Sequence, residues 1–229
     1  MPTKKLLLLL SIILFAIFIF YSYLVAKERF IKLDFDTTVR IQDHIPHKFD
    51  YPFSILSILG TAEITGVVWL LFLVLALFKR YWLSALSLFL LPLALAIEVY
   101  GKLFVFHPAP PHLFYRGVIQ FHFPSEYVHT NYSYPSGHVT RTTFLLTTLM
   151  VFFFFKAPKK YQIFIQPTLA IGLFAMIVSR IYLGEHWTTD VVGGLLVGSA
   201  FGIIPGLLLP MKKKISYYTS HESDSYHDS

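Results

Sequence analysis

The chain has 229 residues, of which 55% are hydrophobic and only 14% charged, with a net charge of +6 and a mean hydropathy of +0.60. That much apolar surface cannot be hidden in one water-soluble core of this size, which excludes a soluble globule, a disordered chain and a fibrous repeat, and leaves a single-domain integral membrane protein. Cysteine is absent, so disulfides, thiolate metal sites and a cysteine nucleophile are excluded.

The first predicted element is the apolar run Leu6 to Ala26, interrupted by Ser11 and by Tyr21-Ser22-Tyr23. At about 1.5 Å per residue, a helix of this length crosses a hydrocarbon core of roughly 30 Å. Lys4 and Lys5 resemble a signal-peptide n-region. The run is longer than an h-region, however, and no small-x-small cleavage site follows, so it reads as an uncleaved leading helix. Residues 27–52 carry charges of mixed sign. Their apolar positions Phe30, Ile31, Leu33, Phe35, Val39, Ile41 and Ile45 suit a helix lying in the membrane interface. The second span lies in Phe53–Phe78 and ends at Lys79-Arg80. The third is Trp82–Tyr100, the fourth runs from near His138 to Phe155, the fifth is Ile163–Tyr182 and the sixth Val191–Leu209. The fold class expected is therefore all-α, a polytopic bundle of six transmembrane helices. One membrane domain covers 1–215, with its core at 53–209. Residues 216–229, rich in Ser, Tyr, His and Asp, read as a disordered cytoplasmic tail.

With six spans, Lys4-Lys5, Lys79-Arg80, Lys156/Lys159/Lys160 and Lys212–Lys214 fall on one side. By the positive-inside rule that side is the cytoplasm, and both termini lie there. Most of the +6 charge thus orients the chain, and no nucleic-acid partner is implied.

Two residue groups stand on the opposite, outward side. Pro135-Ser136-Gly137-His138 opens the fourth helix. Ser136 suits an N-cap, and Gly137 lets a ligand approach the backbone. The free amides with the positive end of the helix dipole make an anion site, and His138 is placed to donate a proton. A plain helix cap with an interfacial His fits the same four residues. Ser179-Arg180, His186 and Asp190 form the second group. The i, i+4 spacing puts His186 and Asp190 on one helical face. The carboxylate can then fix the imidazole tautomer and leave the other nitrogen free as nucleophile or base. Arg180 offers a planar fork for phosphate oxygens. An interfacial His–Asp pair with a snorkelling Arg is the plainer reading. Together the two groups are far more specific, because both land on one face.

These residues resemble the type 2 phosphatidic acid phosphatase / haloperoxidase family, membrane lipid phosphatases with a six-helix core. Its signature is Lys-x6-Arg-Pro, Pro-Ser-Gly-His and Ser-Arg-x5-His-x3-Asp. The second part matches in full at Pro135–His138 and the third at Ser179, Arg180, His186 and Asp190. The first matches in part: Lys102 is followed by Ala109-Pro110, with Ala109 in the place of the Arg. The resemblance implies that His186 attacks phosphorus and carries a phosphohistidine, and that Asp190 orients it. It implies that His138 protonates the leaving group and then activates water, while Lys102, Ser136, Gly137 and Arg180 hold the phosphoryl oxygens. No metal and no cofactor is implied.

Around Ala109, three cations are candidates to supply the missing contact: His107, Arg116 and Arg141, the last one turn after His138. Arg141 also suits plain headgroup binding. His107, His112, His122 and His129 show no metal-ligand spacing and read as interfacial. Glu98 is placed i−4 from Lys102 for a salt bridge, and Glu63 is expected to be protonated or paired. The aromatic- and Pro-rich segment Pro108–Tyr134 reads as a mouth or lid.

A site at headgroup depth on the outer face of the plasma membrane suits a lipid phosphate substrate in the bilayer: undecaprenyl diphosphate, phosphatidylglycerol phosphate or phosphatidate. A phosphotransferase using the same intermediate, and a non-catalytic lipid-phosphate binder, are the alternatives. Intact His138, His186 and Asp190 separate the enzymes from the binder, while Ala109 points the other way.

Overall fold

The computed structural model describes residues 2–119, 123–124 and 130–209, and every extended regular element among them is a helix. Helix α1 is Pro2–Ala26, α2 Ile31–His44, α3 Asp50–Leu59, α4 Ala62–Phe78, α5 Trp82–Leu88, α6 Leu90–Phe104, α7 Gly137–Lys156, α8 Lys159–Tyr182 and α9 Thr188–Leu208. Among the described residues, five helical stretches are long and apolar enough to cross a bilayer, or six when the bent pair containing α3 and α4 is counted as one span. Leu6, Ile12, Phe20, Phe78, Ile163 and Phe164 lie exposed on the outside of the bundle, where acyl chains would cover them. His122, His129, Lys212–Lys214 and the tail from 216 lie outside the described residues.

The expected second span is not one straight helix. The chain breaks at Gly60-Thr61, and α4 leaves the preceding helix at 43°. Thr61 has extended geometry (φ −62°, ψ 158°), and its carbonyl is taken up by Thr65 Oγ1 at 2.6 Å. The carbonyl of Gly60, at the negative end of α3, accepts Arg141 Nη2 at 3.3 Å. Irregular backbone is tolerated at this depth because protein groups satisfy it. The third span, 82–104, contains a milder break at Phe89. Pro92 cannot donate to the Leu88 carbonyl four residues back, and the indole Nε1 of Trp69 does so instead, at 2.9 Å.

Helix α9 is the central element and packs most closely on α7. Gly194, Gly198, Gly202 and Gly206 form a stripe along it, one per turn. A Cβ on any of the last three would come within 2.6 Å of a carbonyl oxygen of α7, those of Thr140, Phe144 and Thr148. Bare glycine thus lets two backbones touch, the usual way helices associate without a hydrophobic driving force. Helix α1 lies on the other side of α9, where Ser11 Oγ donates to the Ala200 carbonyl at 2.6 Å. Its Ser22 bonds the Tyr134 hydroxyl at 2.8 Å, and Tyr134 is fully buried against Phe18. Ser11 and Ser22 of the leading span thus bond the bundle, beside Phe18 and Val25, which are buried against it.

Helix α2 presents Ile31, Leu33 and Phe35 outward, as an interfacial helix should. Ile41 instead packs inward beside Val139, Ile181 and Val191. The inward face also carries a polar stripe of Asp34, Thr38 and Gln42, all buried. Gln42 Nε2 donates to the carbonyls of Phe114 and Tyr182 at 2.7 and 2.8 Å, which straps α2 across one end of the bundle.

Candidate active site

That end gathers the start of α7, the end of α8, the start of α9 and the segment after α6. Ser136 occupies the N-cap position of α7, with φ −66° and ψ 116°. The position is as expected, but its side chain makes no capping bond. Its hydroxyl is buried without a hydrogen-bond partner among the described residues. Gly137 has a reason beyond ligand approach: Glu98 Oε1 and Arg141 Nη1 press against it, and a Cβ there would collide with the Glu98 carboxylate. His138 lies near enough to Arg180, Arg141, His186 and Lys102 to feel their charges, with its Cδ2 beside Gly60.

His186 and Asp190 do meet, with Nδ1 3.2 Å from Oδ2. The reason differs from the expected one. His186 precedes α9 and is not on its face; Trp187 is the N-cap, and Asp190 is the third helical residue. The same Oδ2 accepts the Trp187 backbone N–H at 3.0 Å, so the carboxylate caps the helix and clamps the imidazole together. Burial, and then the charges of Arg180 and Lys102, hold the His186 pKa well below the ordinary imidazole range. The ring is therefore neutral at pH 7, and Nε2, opposite the clamped Nδ1, keeps its lone pair.

Arg180 is buried at the end of α8, its Nη1 on Ser57 Oγ and its Nη2 on Glu185. Its carbonyl accepts the N–H groups of Glu185 and His186, both at 3.2 Å, in a turn that needs Gly184 at φ 67°. Lys102 forms the expected bridge with Glu98, 2.8 Å. Glu98 also reaches Arg141 at 3.5 Å, so one carboxylate ties two cations from different helices. Glu63 lies within electrostatic range of Arg141.

Of the three cations weighed around Ala109, Arg141 is the one drawn into this cluster. Arg116 donates to the Gln42 carbonyl at 3.0 Å and stacks on Tyr182. His107 is not interfacial. It is buried, with Nε2 2.9 Å from Thr189 Oγ1 and 3.5 Å from Asp190 Oδ1. Its ring is drawn inward by polar partners that only the folded chain supplies. His112 is exposed. Trp187 Nε1 clips the segment after α6 to this turn through the Pro108 carbonyl, 2.8 Å.

A family model described as the PAP2 superfamily matches residues 85–213. The chain belongs to the PAP2 superfamily.

Among solved structures, a PAP2-type phosphatidylglycerolphosphate phosphatase from Bacillus subtilis shares the fold, with a TM-score of 0.63 and 16% identity over 85% of this chain and 93% of that one. Aquifex aeolicus LpxE does so with a TM-score of 0.55 and 22% identity over 76% and 94%. Two curated relatives are similar over shorter stretches. Mouse glucose-6-phosphatase 3 is 33% identical over 106 residues, 44% of this chain. Undecaprenyl-diphosphatase of Sulfolobus acidocaldarius is 36% identical over 73 residues, 31% of this chain. The matched stretch is 30% of the length of each of these two relatives. In this PAP2 protein, Lys102, Ser136, Gly137, His138, Arg141, Arg180, His186 and Asp190 all lie at one end of the bundle.

Sequence reasoning missed Glu185, Ser57 and Asp34. Glu185 had a legible signal, a carboxylate directly before the motif histidine. Asp34 had one too, as the first of three polar residues at i, i+4 and i+8, which share one helical face.

Proposed function

We propose that this PAP2 protein is a metal-independent phosphatase of lipid phosphates that works through a phosphohistidine on His186. The observation that carries the reading is the buried His186–Asp190 pair. One imidazole nitrogen is clamped by the carboxylate and the other is left free, beside Arg180 and the amide end of α7. In the first step Nε2 of His186 attacks phosphorus, the bond from phosphorus to the lipid oxygen breaks, and His138 passes its proton to that oxygen. In the second step His138 takes a proton from water, whose oxygen attacks phosphorus and breaks the P–N bond. Lys102, Arg180, Arg141 and the α7 amides stabilise the negative charge of both transition states. The charge pattern of the loops supports six spans with both termini in the cytoplasm, and so a site on the outer face of the plasma membrane. The exposed apolar flanks of the bundle favour a substrate whose phosphate lies at headgroup depth, such as undecaprenyl diphosphate, phosphatidylglycerol phosphate or phosphatidate.

The test is phosphate release by the purified protein from these three lipids and from glucose 6-phosphate, with a chelator present. Release from a lipid that survives the chelator is expected. Release only from glucose 6-phosphate, or only with added metal, overturns the reading. Lipid-phosphate binding with no turnover favours a non-catalytic binder.

Two side chains tune the site in opposite directions. Arg141→Ala is expected to lower kcat/KM about tenfold to a hundredfold, because it removes one cation and leaves Glu98 to neutralise Lys102 alone. Arg116→Ala, whose guanidinium serves Gln42 and Tyr182, should change it less than about threefold. Equal effects would remove Arg141 from the phosphate site. Glu185→Gln frees the Arg180 fork from a competing carboxylate. Because the Glu185 side chain is partly exposed, KM should fall only about two- to fivefold. A raised KM would instead make Glu185 a support for Arg180.

A further inference from the structure

We propose that His107, anchored by Asp34, is a positioning residue for the catalytic pair: it holds the Asp190 oxygen that His186 and Trp187 leave free. The inference rests on His186 being the nucleophile.

Oδ2 of Asp190 is fully used, by His186 Nδ1 at 3.2 Å and by the Trp187 N–H at 3.0 Å. Oδ1 is buried and makes no hydrogen bond among the described residues. His107 Nε2 stands 3.5 Å from it, and the Ser133 side chain lies beside Asp190 as well. A buried carboxylate held by one oxygen can pivot about it, and the imidazole it clamps would pivot too.

The proton on His107 follows from its neighbours. Thr189 Oγ1 donates its single hydrogen to Asp34 Oδ2 at 2.7 Å. Toward His107 Nε2, 2.9 Å away, the same hydroxyl can therefore only accept, so Nε2 carries the hydrogen. That N–H faces Thr189 Oγ1, Asp190 Oδ1 and, at 3.6 Å, Asp34 Oδ2. Asp34 also accepts the Thr189 backbone N–H at 2.9 Å, fixing the first turn of α9. His107 is held from behind, its carbonyl taking the Ser133 N–H and hydroxyl, both at 3.0 Å. The N–H of Ser136 donates to the Asp190 carbonyl at 2.9 Å, so the same knot joins the starts of α7 and α9.

The reach of the knot is informative. Asp34 lies on α2, outside the stretch 85–213 that carries the family pattern. A helix strapped across the bundle end thus supports the pair from outside the motifs. His107 belongs to this support and is not the stand-in for a phosphate contact at Ala109, because its Nε2–H is given to Thr189 and faces the two carboxylates.

The experiment compares full-length His107→Leu, His107→Gln, Asp34→Asn and His186→Ala in phosphatidate micelles, with thermal midpoints in the same detergent. His107→Leu should lower kcat on the order of tenfold to a hundredfold, the cost of a slightly misplaced reacting group, with KM changed less than twofold. Asp34→Asn should move kcat in the same direction. His107→Gln, whose amide can place an N–H near the same point, should recover most of the loss. Unchanged kcat in His107→Leu overturns the inference. So does an equal loss in His107→Gln that tracks a lowered thermal midpoint, which would make the role structural. Phosphate release by His186→Ala at the wild-type rate would instead overturn the underlying functional reading, whatever the His107 variants do.

Discussion

Substituting His186 by alanine should bring phosphate release from lipid down to background, a fall of at least about ten-thousandfold, while the protein remains folded. The magnitude follows from the part assigned to the residue. A nucleophile that forms a covalent intermediate has no substitute, and residues acting as one unit lose nearly everything when the central member is removed. Asp190→Ala should be severe as well, because it removes the clamp on Nδ1 and the cap on the Trp187 N–H together. The double variant should then be no worse than His186→Ala alone, which is the signature of one functional unit. Acid quenching of the wild-type protein with lipid labelled on phosphorus should leave label on the chain, and His186→Ala should leave none. Full activity in His186→Ala would end the proposed mechanism. The pH profile gives a second reading. Only the neutral ring is nucleophilic, so kcat/KM falls as pH drops through the His186 pKa. Burial and the Arg180 charge push that pKa down, so the acid limb should appear well below the free-imidazole value of about 6.5.

The second large effect concerns assembly of the bundle. Gly198→Val should lower the thermal midpoint in detergent sharply or prevent recovery of folded protein. A Cβ at this position meets the Thr140 carbonyl oxygen at 2.6 Å, the Thr143 Cβ at 2.8 Å and the Phe144 nitrogen at 3.1 Å. Two of these are backbone atoms of α7, which cannot rotate away, so the helices must separate. Overpacking of this kind costs about 1–3 kcal/mol or more. Gly172 on α8 is the matched control, since a Cβ there meets nothing within 4 Å. Gly172→Ala should be neutral or slightly stabilising, as alanine is the better helix former by up to about 1 kcal/mol. Gly198→Val with an unchanged midpoint would mean that α7 and α9 do not pack backbone to backbone.

Much of the site was legible before folding because its parts are short and local. Pro135–His138 and Ser179–Asp190 each lie around a helix end, and the free amides there follow from helix geometry alone. The Glu98–Lys102 bridge is an i, i+4 pair. Local spacing also misled. His186 and Asp190 are four apart but not on one helical turn, and they meet because Asp190 caps α9. His107 looked like one more interfacial histidine, since neither Thr189 nor Asp34 is near it in sequence. The glycine stripe on α9 was written plainly at one residue per turn, yet nothing in the chain says that α7 is what it packs against.

Composition, hydropathy and the loop charges by themselves determined that this is an apolar helical chain built to span a membrane, and two motifs determined its superfamily. These features survive in sequence because each depends on residue type at short range. Tertiary structure alone decided the rest. It broke the second span at Gly60 and turned its carbonyl to Arg141. It made Glu98 the tie between Lys102 and Arg141, and placed Glu185 on Arg180. It brought Asp34 from a strap helix, 156 positions from Asp190, into the knot around the His186–Asp190 pair. The physical reason is the same in each case. A buried charge must find a partner, and which partner it finds depends on how helices distant in sequence are packed.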